Sequence, residues 1–292
     1  MNDHRTGPAD ILVGFDASAG AQRALSWAVD HAERTGDRVE LMMAVPEGSG
    51  RHQTRYADIH AAAEGIVDIA LTNLRADRHG FEAHGSVRYG AAADVLIEAS
   101  RQAGLLVVGR RGHGEVTDAL LGSVSMRVCA HALCPVVVIP PGWAAQPGGT
   151  VVVGVADADD RPAVAFAADY AQALAGDLLA VHTWNLPVSG FSPELMIPLV
   201  NDASDMTVAR DRELDDALAP VRERKPGLPV ATSVVEGIPA RRLTEAARHA
   251  ALLVVAAHRE RGRYPLRIAP TVHAVLHHAP CPVAVVPIAG TP

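Results

Sequence analysis

Lysine is almost missing from this chain: Lys225 is the only one. It sits in Glu223-Arg224-Lys225-Pro226-Gly227, a stretch that reads as a helix end. A Walker-type ATPase needs a lysine in its glycine loop, a protein kinase needs one on a strand facing the phosphates, and a phospho-receiver needs one beside its acidic cluster. All three classes are excluded. Cysteine is scarce too, and Cys129, Cys134 and Cys281 form no C-x-x-C pair, so neither a disulfide framework nor a zinc knuckle is indicated. Aromatic residues make up only 4%, which leaves Ala, Val and Leu to fill the cores. No apolar run approaches the roughly eighteen residues of a membrane span. Met1 to Pro8 is polar and unlike a signal peptide, so a soluble, cytoplasmic protein is expected. A formal net charge of −7 gives no general pull toward nucleic acid or anionic membrane, and neither is expected as a partner.

What is present is apolar and periodic. The 292 residues, 49% of them hydrophobic, suggest two domains with ordinary cores. Asp10–Phe15 reads as a first strand and Ala21–Arg34 as a helix stopped by Gly36. Val39–Val45 is a second strand and Ala57–His79 a long helix. Phe81–Val87 is a weaker third strand, and Ala92–Gln102 a short helix. Leu105–Val108 is a fourth strand, a helix opens at Gly122-Ser123, and Cys134–Ile139 is a fifth strand. Strands alternating with helices predict an α/β fold, a parallel sheet with helices on both faces. Residues 143–149 are a linker by composition, and after it the pattern returns. Gly90, Leu105 and Cys134 recur as Gly237, Leu252 and Cys281, each 147 residues on (281 − 134, for example). One offset held over about fifty residues marks an internal duplication. The domains are expected at 1–142 and 150–292.

Between strand four and the next helix lies Gly109-Arg110-Arg111-Gly112-His113-Gly114, then Gly122-Ser123. Glycines can take φ > 0 and leave backbone N–H groups bare. A strand, a glycine loop and a helix start together favour an anion such as phosphate. The second half has lost this pattern: at the same offset Gly109, Gly112, Gly122 and Ser123 become Ala256, Arg259, Ala269 and Pro270. His273, His277 and His278 have no acidic or cysteine partner at a useful spacing, and they read as a solvated helix face. No metal site is expected there.

The spacing Gly109-x2-Gly112-x9-Gly122-Ser123 resembles the ATP-binding signature of the universal stress protein family, and should arise by accident in about two chains per hundred. The resemblance extends over both halves. It implies two tandem doubly wound five-stranded parallel sheets, Rossmann-like and similar to the adenine nucleotide alpha hydrolases, with strand order 3-2-1-4-5. It also implies ATP as cofactor, with Mg²⁺ held through the phosphates. Asp16, after strand one, is then a nucleotide-contacting acid or an Asx turn, and Ser18 a ligand or a helix cap. Val45 offers backbone groups to adenine by position, and Gly90 a turn near the ribose. Gly109, Gly112, Gly122 and Ser123 hold the phosphates, with Arg110, Arg111 and His113 beside them and Gly14, Val124 and Ser125 on the flanks.

The function implied is an adenine-nucleotide-dependent regulator of growth or stress response, with at most slow ATP hydrolysis. The two domains are expected to pack on each other through their final strands, Cys134–Ile139 and Cys281–Pro287, since last strands are edges to be covered. A homodimer is expected as well, and an unknown protein partner is allowed for. An ATP hydrolase of the same superfamily and a docking scaffold without nucleotide are the alternatives.

Overall fold

The computed structural model describes residues 10–47, 53–78, 80–112, 121–144, 149–184, 196–258 and 268–288, with the backbone alone for 53–56 and 196–209. The chain forms two compact units. The first runs β1 (Asp10–Gly14), α1 (Ala19–Thr35), β2 (Arg38–Val45), α2 (Gln53–Asp77), β3 (Ala83–Tyr89), α3 (Ala92–Ala99), β4 (Leu105–Gly109), α4 (Ser123–His131) and β5 (Val136–Ile139). Its strands pair in parallel in the order β3-β2-β1-β4-β5. The order reverses between β1 and β4, which is where such sheets open a crevice at their carboxyl ends.

Local chemistry explains the elements. β4 is an unbroken apolar run because it is buried at all five positions, as a central parallel strand must be. α1 turns Ala24, Leu25, Trp27, Ala28 and Ala32 inward and packs on β4. It stops where Gly36 takes φ 75° and donates its N–H to Ala32 O, a left-handed cap that suits glycine. β3 begins two residues later than its sequence suggests. It is a mostly exposed strand whose register is set by tertiary fit: a Cβ at Gly85 would run into Val67 of α2. α3 ends at Ala99, where the Ser100 hydroxyl donates to Ile97 O and accepts from Leu133 N–H.

The second unit repeats the plan. It holds β6 (Thr150–Gly154), α5 (Arg161–Ala173), β7 (Asp177–Trp184), α6 (Met196–Arg224), β8 (Val230–Glu236), α7 (Pro239–Ala246), β9 (Leu252–His258), α8 (Pro270–His278) and β10 (Val283–Ile288). Its parallel order is β8-β7-β6-β9-β10. The duplication and the parallel α/β class read from the sequence are both present. Lys225 follows α6 and places its ammonium 2.8 Å from Asp169 of α5, so the lone lysine is a structural tie. The three cysteines are buried, and loss of water pushes each thiol up to about 12.

Candidate functional site

A cleft of about 530 Å³ opens over the carboxyl ends of β1, β2 and β4. Met42 and Ala44 of β2, Val108 of β4 and Leu96 of α3 give it an apolar wall. Gly14 belongs to the same surface, and a Cβ there would press on Leu96 and Val108. The same lining includes Asp16, Arg111, Gly112 and the first residues of α4.

The start of α4 is built to be open. Gly122 is its N-cap and supplies no side-chain hydrogen bond. The Gly122 N–H donates to Arg110 O at 2.9 Å, and the first helical bond runs from Met126 N–H to Gly122 O. The N–H groups of Ser123, Val124 and Ser125 therefore lie outside the helix ladder, at the positive end of the helix dipole. No acidic side chain occupies that first turn. Ser123 is exposed and lines the cleft. The Ser125 hydroxyl is engaged elsewhere, donating to Gly109 O at 2.8 Å from a buried position. Ser125 thus ties α4 to the end of β4 and offers the cleft only its N–H.

The loop glycines serve close approach, and backbone freedom is not what they supply. Gly109 and Gly112 both lie outside the left-handed region. A Cβ on Gly109 would come within 2.6–2.9 Å of the Gly20 backbone, and one on Gly20 would overlap Arg111 O. The chain after β4 is thereby folded over the start of α1. A Cβ on Gly112 would overlap Asp16 Oδ2, so this loop residue rests directly on the carboxylate. A Cβ on Gly122 would stand 3.2 Å from Arg110 O. The glycine spacing in the sequence reflects three chain segments meeting without side chains between them.

Other residues singled out in the sequence have structural duties. Asp16 Oδ1 accepts from Ser18 N–H at 3.0 Å, an Asx turn, while the residue still faces the cleft. The Ser18 hydroxyl caps α1, accepting from Ala21 N–H at 3.1 Å, and Ser18 stands outside the lining. Val45 is buried, with its carbonyl accepting from Gly90 N–H. Strand alternation turns Met42 and Ala44 to the cleft in its place. Gly90 takes φ 135°, which explains the glycine as a turn residue at the end of β3. Arg110 is a loop arginine removed from solvent, 8% exposed, and burial, then Arg111, lowers its pKa. Its backbone braces the loop, with the N–H on Ile139 O and the carbonyl under Gly122. His113 lies outside the described residues. The apolar wall was missed in the sequence; the two-residue alternation along β2 was the signal that could have pointed to Met42 and Ala44.

The matching place in the second unit is differently made. α8 opens on Ala269 and Pro270, and proline has no N–H to offer. β9 ends on His258, at the offset of Arg111 (258 − 111 = 147). Its Nε2 lies 2.7 Å from Asp160 Oδ1. Asp160 is 2% exposed, and its Oδ2 accepts from Ala156 N–H at 2.6 Å. A side-chain pair ties this strand end to the turn after β6. Asp157, which follows β6, accepts from Asp159 N–H at 2.8 Å. On α8 the His273 and His277 rings pack with centroids 4.4 Å apart.

The universal stress protein family model matches residues 9–140 and again 149–287. A universal stress protein of Mycobacterium tuberculosis is 32% identical over 313 aligned residues, covering 97% of this chain and 96% of the relative. A second from the same organism is 32% identical over 271, covering 87% and 88%. Among solved structures, a universal stress protein from Archaeoglobus fulgidus DSM 4304 superposes with a TM-score of 0.70 at 17% identity, covering 95% of this chain and 98% of that one. A functionally unknown protein from Pseudomonas aeruginosa PAO1 gives 0.63 at 16%, covering 97% and 93%. These two show likeness of fold.

Proposed function

The chain belongs to the universal stress protein family as a tandem pair of its domains, and on that premise we propose that its first unit binds ATP and signals through the bound nucleotide. The observation that carries the reading is the uncapped start of α4 on a cleft that is also lined by apolar Met42, Ala44, Leu96 and Val108. Phosphates suit three unladdered N–H groups at a positive helix end, with the Ser123 hydroxyl and Arg111 beside them. The adenine suits Met42, Ala44 and Leu96. Mg²⁺ would be carried by the phosphates and would neutralise part of their charge. Asp16 is the one carboxylate in the described lining, and one of its oxygens already holds Ser18 N–H. That supports a bound state over rapid turnover, with any hydrolysis slow.

The role that follows is a cytoplasmic regulator of growth or stress response, working as a homodimer whose nucleotide state is read by a protein partner. On this proposal the first domain spans residues 1–142 and the second 150–292. The direct test is to denature the protein as purified and identify what leaves it. Released adenine nucleotide is expected, together with tight Mg-ATP binding by the stripped protein. A preparation that releases none and shows no heat on titration with Mg-ATP would sink the reading.

A further inference from the structure

Helix α2 packs on β2 and β3, burying Ala63, Val67 and Leu71. A second face of the same helix is left open by the described residues: Ile59, Ala62, Ile66, Ile69, Asn73 and Ala76 are all exposed. Their spacing alternates three and four, the a and d positions of a heptad repeat, with Ile59, Ile66 and Asn73 at a. One exposed isoleucine is ordinary on a protein surface. Here three stand in one row, 36%, 41% and 64% exposed, and together they make an apolar patch. Gly65 lies in the middle of the helix beside this row. Nothing comes within 4 Å of where its Cβ would be, and its φ is outside the left-handed range. Packing among the described residues therefore gives no reason for a glycine, which weakens a helix interior relative to alanine. A second helix approaching closely from outside does.

We infer that α2 is a self-recognition surface, pairing in parallel and in register with α2 of a second copy of this chain. The positions flanking the seam fit this occupant. Gly65, Ala70 and Thr72 are uncharged, and a parallel pair sets Gly65 against Ala70 and Thr72 against Asp77, so no like charges meet. Asn73 selects the direction. In a parallel seam it faces its twin, and two amides can exchange hydrogen bonds. An antiparallel seam centred on Ile66 would set it against Ile59 and leave the amide without a partner. From Ile59 to Ala76 the seam is about 26 Å long and one helix wide. That is small among stable interfaces, so the dimer forms with rising concentration.

Sedimentation of the full-length protein from low to high micromolar concentration tests this. The wild type should move from 30.6 kDa toward twice that mass, and Ile69→Glu and Ile66→Glu should stay at the single-chain mass. Both side chains are exposed, so helical signal and melting temperature should hold. If either variant loses its helical signal, Asn73→Cys decides. Under mild oxidation it should give a reducible covalent dimer, against a clean background because the three native cysteines are buried. A wild type that stays monomeric, a dimer that survives Ile69→Glu in folded form, or an Asn73→Cys protein that fails to cross-link would each overturn the inference.

Discussion

Ser123 opens α4, exposed and lining the cleft, and in the proposed ATP complex Ser123→Ala removes a donor from the phosphates. A charge-assisted hydrogen bond is worth about 1.5–3 kcal/mol, so calorimetry should show ATP affinity falling roughly ten- to hundredfold. The N-cap is Gly122 and not Ser123, so stability without nucleotide should be unchanged. His31 makes a different prediction. It stacks on Trp27 with centroids 5.4 Å apart, and burial, offset in part by Asp37, lowers its pKa from 6.5 to about 4. Between those values the unfolded chain binds the proton and the native one does not. Stability should therefore fall as pH drops through that window, by at most about 1.4 kcal/mol per unit. Denaturant titrations at neutral pH and near the lower end should show this loss, and His31→Phe should lose less. Single residues were the hardest level to read from sequence. Asp16 and Ser18 carried two roles each in the sequence, and only the hydrogen bonds separated them: Ser18 caps, while Asp16 turns the chain and still faces the cleft.

The β4–loop–α4 element was visible because its signals are local: an apolar run, glycines at fixed gaps, a second apolar run. What these glycines do was not visible. The sequence reading gave them φ > 0, whereas Gly109 is required by the backbone of α1. Gly109→Ala should therefore damage the fold before it damages the site. Backbone cannot yield as a side-chain end does, so overpacking there should cost about 1–3 kcal/mol. Urea unfolding of the nucleotide-free protein measures it, and unchanged stability would mean that α1 does not press on β4. β3 was placed two residues early because an exposed strand lacks strong patterning, and its register depends on Gly85 fitting under α2.

The two units have one plan and unequal sites, so the protein should bind about one ATP per chain. The basis is the open start of α4 against the Pro270 start of α8, and the His258–Asp160 pair where the first unit presents Arg111. Calorimetry with Mg-ATP should return a single set of sites, and Pro270→Ser should add none, since the side-chain pair stays in place. Two equivalent sites would refute this. The sequence by itself determined the α/β class, the duplication and the segment where an anion site would form. Periodicity, glycine spacing and a repeat offset are carried by neighbouring residues and survive without coordinates. Tertiary structure alone decided which groups reach the cleft. The phase of a strand's alternation, which puts Met42 and Ala44 inside it and Val45 away from it, depends on what packs on each face. The closeness of Gly20 to Gly109 arises only when segments far apart in the chain are pressed together, and no local pattern encodes that distance.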